Sequence, residues 1–591
     1  MGKNRWLAAI LAASFFGLTL AGCSPEERPG PEGSAASLAE GLSRLDVTGN
    51  EFAGSTVEAV NGMLAYEVSG MNTKPTVTVS EIEEVSANEA VATLKYMWDV
   101  NASPRDYSYE TTVTLERSRD SNWQTRFRST TVHPDLLPGQ RMVRDASPPP
   151  RADVLGAGGS VLMRHWPVWR VGLDKSVLGG QEYATSVFYL SLYLNLDAEA
   201  LAAKVQAAGP DAFVEAVTVR QDTVPPAFES DIATIPGAAA LADRLVLGPS
   251  PGFAANLLGA VGPASAETAD TGPMAPGDLT GLSGLQLEYD AQLRGADAVS
   301  IRILGADNVP SEPLFEAPAE PGTPLQTTLD LTVQAKADAV LAAAPGAALV
   351  AVQPSTGNVL AVANGPATEG AQTALLGEYS LGTGFQPVTA LARLRAGSAE
   401  VPDDAALAAA AEALGLGVGS SLGTQAFYGA VPDSSDGTRQ AGSVNAGGQV
   451  VASPLAAAVA AATVARGERV SPVLVLSPAA PGGSGADTAQ DPPSSGADGP
   501  PAISPEEAES LRSALRANVA GGSAGEALGA LESVAGKPVL AAEGTAGTGG
   551  EKADHGWVTA IQGDLAVAVF VQGSSADSAA VAAAFLESLG G

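Results

Sequence analysis

At 591 residues and 45% hydrophobic content, the chain is long enough for about three or four domains with cores of their own. A formal net charge of −33 argues against nucleic acid as a partner, since its phosphates would be repelled, and three scattered histidines (His133, His165, His555) form no recognisable metal-ligand cluster. The 67 glycines and 41 prolines predict long loops and linkers.

The first residues carry a basic start (Lys3, Arg5), an apolar run from Trp6 to Leu20, then Leu20-Ala21-Gly22-Cys23. That run is shorter than the roughly 20 residues a membrane span needs. The pattern resembles a bacterial lipoprotein signal with its lipobox; a transmembrane anchor and an ordinary cleaved signal are the alternatives. The resemblance implies a signal over 1–23, lipid attachment at Cys23, a polar tether over 24–36, and a place on the outer face of the plasma membrane. Two or more acyl chains would anchor it stably. Cys23 is the single cysteine, so no disulfide forms within the chain.

Residues 37–145 read as a small α+β domain. Helices are expected at 37–45 and 55–66, followed by period-2 strands at 77–85, 89–100, 107–117 and 122–132. A turn, His133-Pro134-Asp135-Leu136, follows a strand that carries Trp123. This order resembles the NTF2-like N-terminal domain of some class B penicillin-binding proteins, which implies a spacer or interaction domain.

Residues 146–320 open with Arg151, the matching residue of a degraded RGxIxDRxG segment of the same family. The stretch 195–220 predicts a helix, a Gly-Pro break, then a second helix or a strand. Gly281, Ser283, Gly284, Leu285, Tyr289, Asp290, Leu293 and Gly295 resemble the family's GxSGLExxyDxxLxG segment, which belongs to its dimerisation or pedestal domain. Gly248-Pro249-Ser250-Pro251-Gly252 fits G-x-S-x-G by letter, but prolines on both sides of Ser250 forbid the strand–turn–helix of a nucleophile elbow.

Residues 322–591 resemble the family's transpeptidase domain. A helix is expected over 327–344, with Val333, Ala337, Val340 and Ala344 on its apolar face. A strand, a turn at Pro354, Ser355 and Gly357, and a returning strand follow over 346–364. Strands at 554–561 and 565–573 and a helix at 576–589 end the chain, and residues 478–505 read as a low-complexity disordered insertion. The fold expected is therefore multidomain α+β: an NTF2-like domain, an elongated α+β pedestal, and a serine β-lactamase-like domain with an antiparallel sheet flanked by helices.

The stretch Leu381–Gly397, LGTGFQPVTALARLRAG, resembles the nucleophile helix of the penicillin-binding transpeptidases. Its apolar face is expected to carry Leu391, Leu394 and the alanines between. In that family an S-x-x-K serine attacks the peptide and the lysine moves its proton. Here Thr383 stands at the serine and Gln386, whose amide takes no proton, at the lysine. Losing a general base costs about 10²–10⁴ in rate. The K-T-G position reads Ala542, Glu543, Gly544, which removes a positive charge and sets a negative one where a carboxylate should bind. Lys537 is the alternative lysine, but Pro538 follows it. For S-x-N, Ser443 and Asn445 match by letter but abut the segment over 447–475, where the family does not place that motif.

The resemblance with these departures implies a cell-envelope lipoprotein related to D,D-transpeptidases, without transpeptidase activity, acting as scaffold or regulator of cell-wall assembly. It implies no cofactor or metal, partners among peptidoglycan or cell-wall synthesis proteins, and membrane contact through the lipid anchor. Two alternatives stand beside it: an active D,D-transpeptidase with Thr383 as nucleophile, and a module that binds peptidoglycan or β-lactams non-covalently.

Overall fold

The computed structural model describes residues 30–101, 103–178, 183–269, 274, 277–305, 307–368, 370–400, 402–431, 450–476, 503–521, 525–531, 538–546, 555–573 and 575–590. Cys23 and the signal stretch, Ser443, Asn445, Lys537 and residues 478–502 of the expected insertion lie outside them. Among the described residues no helix is long and apolar enough to cross a membrane. The architecture is multidomain α+β, in two compact units. The first takes the described residues of Met1–Val100, Pro104–Asp145 and Ser300–Glu316; the second takes Asn101–Ser103, Ala146–Val299 and Ala317–Gly591.

In the first unit, helices α1 (Glu32–Arg44) and α2 (Val57–Glu67) precede an antiparallel sheet of β1 (Pro75–Ser86), β2 (Glu89–Trp98), β3 (Tyr107–Arg117) and β4 (Trp123–Arg126), paired in that order. Alternation sets the core: Ala90, Ala92, Leu94, Tyr96 and Trp98 of β2 all point inward. The Tyr96 and Tyr109 rings stack at 5.1 Å, and the Trp98 indole N–H donates to the Tyr109 hydroxyl at 3.0 Å. The strand expected over 122–132 is shorter. Ser129–Val132 forms a helical turn instead, because the Thr131 hydroxyl accepts from the Arg128 N–H and draws the backbone out of the ladder. His133 is buried with its Nε2 2.7 Å from the Tyr107 hydroxyl, and burial lowers its pKa.

The expected second domain loses one segment to this unit. Strand Ala298–Leu304 lies between Phe315–Ala317 and β5 (Arg141–Ser147) in a three-stranded sheet, so 300–316 belongs with the first unit.

The second unit opens with β6 (Val161–Asp174), which pairs antiparallel with β7 (Phe213–Arg220) on one side and β8 (Ala238–Leu247) on the other. Helices α3 (Tyr183–Leu194) and α4 (Ala198–Ala207) cover this sheet through Val187, Leu190, Leu201 and Val205. Asp197 caps α4 by accepting from the Glu199 and Ala200 N–H groups. The element after the Gly-Pro break is a strand, as its β-branched Val214, Val217, Thr218 and Val219 favour. Residues 248–252 form a loop that includes a turn with Gly252 at φ 84°, so no nucleophile elbow exists there.

The GLSGL segment is a structural clasp. Arg151 is buried and pairs with Asp290 at 2.7 Å, while its other nitrogens donate to the Gln286 side chain and carbonyl. Asp290 also accepts from the Gly281 N–H at 2.7 Å. Gly281 is obligatory, since a Cβ there would meet the Gln286 carbonyl at 1.9 Å.

The remaining elements are α5 (Leu331–Ala342), β9 (Ala347–Val352), β10 (Val359–Asn364), α6 (Gln386–Ala396), α7 (Asp404–Ala413), α8 (Pro454–Arg466), α9 (Pro505–Gly521), β11 (Val539–Ala546), β12 (His555–Gln562), β13 (Ala566–Val571) and α10 (Ser575–Gly590). The strands form one antiparallel sheet in the order β10-β9-β13-β12-β11. Its central strands β9 and β13 are buried throughout, with α5 and α10 packed on one face and α8 on the other. Ten of the 13 residues of α8 are buried, five of them alanines, so this helix lies in the middle of the larger core. On α5 the fully buried positions are Gln334, Ala337 and Leu341, with Val333 and Val340 only partly covered, as is Ala344 just past its end. Gln334 is tolerated inside because it makes both hydrogen bonds to Val362 of β10 and a third to Asp338.

Candidate functional site

The stretch singled out in the sequence begins as a two-residue strand. Tyr379 and Ser380 pair with Ala452 and Val451, and the Leu381 N–H donates to the Val450 carbonyl. The chain then tightens into a 3₁₀ turn, Gly382–Phe385, closed by the Gly384 N–H on the Leu381 carbonyl. Helix α6 starts at Gln386 with Pro387 in its first turn, where a missing N–H costs nothing. Its buried face is Val388, Leu391 and Ala392. Leu394, expected on that face, is exposed instead, since it is displaced from Leu391 and Val388 by the 100° advance per residue.

The turn is pinned from three sides. The Ser380 carbonyl accepts from the Trp557 indole at 2.9 Å and from His555 Nε2 at 3.2 Å, which fixes the proton on that nitrogen. Tyr379 stacks on Phe570 at 4.0 Å. Gly382, at φ 52°, passes so close to β11 that a Cβ would meet the Thr545 carbonyl at 2.1 Å. A Cβ on Gly544 would meet the Gly384 nitrogen at 2.2 Å. Glycines at both places are the condition for the turn to touch the edge strand.

This contact brings the first and third sequence-predicted motifs together. The Thr545 N–H donates to Thr383 Oγ1 at 3.0 Å, across 162 residues of sequence. Thr383 and Gln386 are both exposed and both line a cleft of about 390 Å³, with Gly382, Phe385, Thr389, Ala390 and Arg393 as its other described walls. Ala542 is buried, 2% exposed, in the apolar cluster that holds Phe385, Val388 and Trp557. Glu543 is half-buried, and strand alternation turns its side chain to the face opposite Ala542 and Gly544. It is not among the described residues that line the cleft. The charge expected to oppose a carboxylate therefore does not face it, and Arg393, which the sequence reading passed over, does. Arg393 sits seven residues after Gln386, two turns along the same helix face.

The chemistry of these walls is limited. An N–H aimed at Thr383 Oγ1 would stabilise negative charge on that oxygen. Removing the hydroxyl proton needs an acceptor, and neither the Gln386 amide nor the Arg393 guanidinium is basic. The described lining contains no lysine, histidine or carboxylate.

The comparisons with known proteins agree with this arrangement. Residues 146–327 match the Penicillin-binding Protein dimerisation domain, and residues 378–589 match the Penicillin binding protein transpeptidase domain. Among solved structures the chain is similar to the complex between Penicillin-Binding Protein (PBP2) and MreC from Helicobacter pylori, at 16% identity and a TM-score of 0.48, over 76% of this chain and 99% of that one. A comparison with curated proteins finds no match.

Proposed function

Because the chain belongs to the class B penicillin-binding proteins, we propose that it serves peptidoglycan assembly as a scaffold or regulator and does not itself form cross-links. The carrying observation is Ala542: a buried methyl group, in the apolar cluster that also holds Phe385 and Trp557, stands where the sequence resemblance puts the motif lysine. Gln386 at the base position and a described cleft lining without a proton acceptor support the same reading. Further support for the site of action comes from the basic, apolar, lipobox-like run ending at Cys23, which puts the chain on the outer face of the plasma membrane through a lipid. The residues before 146 then act as an NTF2-like spacer or interaction domain, and the partners are cell-wall synthesis proteins.

The test is labelling of the purified full chain with a fluorescent penicillin. No adduct is expected at concentrations that saturate an active member of the family. A stoichiometric acyl adduct mapped to Thr383 would overturn the reading.

One observation favours a second reading, a slow acyl transfer through Thr383. The Thr545 N–H already points at the hydroxyl oxygen and would stabilise it as a nucleophile. That reading requires weak labelling that disappears in Thr383→Ala and rises in Gln386→Lys.

A further inference from the structure

Four side chains of the Thr383 cleft keep hydrogen-bonding capacity that the fold does not use. Gln386, Thr389 and Arg393 line this space of about 390 Å³, at spacings of three and four residues that put them on one face of α6. Thr383 joins them from the 3₁₀ turn. Its oxygen accepts from the Thr545 N–H at 3.0 Å, so its own proton is left to donate. Among the described residues the Gln386 amide, the Thr389 hydroxyl and the Arg393 guanidinium have no hydrogen-bond or ion-pair partner.

Among the described walls the charge is positive. Arg393 is exposed, and helical side chains lean toward the helix N-terminus, which carries its guanidinium back over Thr389 toward Gln386. Acidic residues outnumber basic ones 65 to 32, and the next arginine of the same helix, Arg395, is taken by Glu507 at 2.8 Å. Arg393 has no such carboxylate, and the described lining contains none. A guanidinium only donates, which suits an oxyanion. Hydroxyls and an amide both donate and accept, which suits the hydroxyl groups of a ligand. Phe385 is 2% exposed and Ala390 ends in a methyl group, so an apolar ligand would find little to cover.

We propose that this cleft, released from acyl transfer on the scaffold reading above, holds an anionic polyol without reacting with it. The oxyanion sits at Arg393, and the hydroxyl groups run along Thr389, Gln386 and Thr383. Gln386 and Arg393 are seven residues apart, about 10 Å along the helix axis, which matches a sugar that carries a charged group at one end. The guanidinium selects the charge, and the row of neutral groups selects the polyol over a bare ion. A sugar phosphate and a sugar carboxylate share this chemistry.

The test is saturation-transfer NMR on the full chain with three hexose probes: glucose 6-phosphate, glucuronate and glucose. An anionic probe is expected to bind and to slow amide exchange in the segment 382–393, and glucose is not. Whether the phosphate or the carboxylate binds more tightly identifies the source of the charge. Arg393→Gln should weaken the anion about tenfold, the worth of one charge-assisted pair, and Arg393→Lys should restore part of it as a point charge without the fork. Circular dichroism and the melting temperature show each variant folded. The proposal is overturned if neither anion binds, if glucose binds as well as the anions, or if folded Arg393→Gln binds like the parent. Fluorescent-penicillin labelling of the same preparation separates the two readings. An adduct at Thr383 with anion binding intact overturns only the scaffold reading; no anion binding and no adduct overturns only the polyol site.

Discussion

Gly544 and Gly384 meet backbone to backbone, with room for no Cβ on Gly544: one built there would stand 2.2 Å from the Gly384 nitrogen. Gly544→Ala must therefore push the 3₁₀ turn away from the edge strand. Overpacking of this kind costs about 1–3 kcal/mol. The expected result is a lower melting temperature and faster amide exchange at Thr545, whose N–H loses the Thr383 hydroxyl. Unchanged exchange at Thr545 would show that the contact does not hold the turn.

Restoring the motif lysine should damage the fold. Ala542 is 2% exposed and belongs to the apolar cluster that holds Phe385, Val388 and Trp557, so Ala542→Lys places an ammonium group in that cluster without a partner. Ala542→Val, similar in polarity but larger, separates volume from charge. The lysine variant is expected to be the less stable at pH 7, and to recover part of the difference at pH 10, where the amine is neutral. Equal melting temperatures for the two variants at pH 7 would mean that the lysine reaches solvent or a partner.

Asp338 predicts a pH dependence. Burial pushes its carboxyl up to about 6, against hydrogen bonds from the Ala254 N–H and Gln334 that lower it. The folded state thus holds its proton more tightly than the unfolded state, whose value is near 3.8. Stability from this group is full below about pH 4 and falls as pH rises toward 6, by at most about 3 kcal/mol for a two-unit shift. Urea unfolding at pH 4, 5, 6 and 7 should show that slope in the parent chain and its loss from the difference curve in Asp338→Asn. A difference that is flat across that range removes Asp338 as the titrating group.

Arg151 predicts the cost of opening the clasp. With its side chain 2% exposed and its partner Asp290 17% exposed, the pair is buried enough that removing one member leaves a stranded charge. Arg151→Leu is expected to cost about 3–5 kcal/mol, and Arg151→Leu with Asp290→Leu less than the sum of the single changes. Additive losses would show that the two residues act separately.

Much of the fold is legible in the sequence because it rests on local pattern. The period-2 runs of β1 to β3, the Pro354–Gly357 turn between β9 and β10, and the capped start of α5 at Asp330 all declare themselves within a dozen residues. Thr383 and Gln386 could be placed at one cleft for the same reason: they lie three residues apart at a helix start. The misses are long-range. Arg393 becomes a cleft wall only because α6 presents that face, and Leu394 is exposed because Val388 sets the buried stripe. Glu543 could be read as a charge in the site until the pairing of β11 with β12 fixed which way it turns. Gln334 and Asp338 look like surface residues on α5, and only the approach of Val362 and Ala254 gives them buried partners.

The return of residues 300–316 to the first unit has a consequence for synthesis. The sheet that holds β5 lacks its middle strand, Ala298–Leu304, until all of 146–299 has left the ribosome. At roughly 5–20 residues per second this delay is on the order of ten seconds. During it, β5 carries an unpaired edge while the chain that follows is free to begin folding. The N-terminal unit is thus finished after the segment inserted into it has emerged, and a chaperone that shields strand edges would act on this protein at β5.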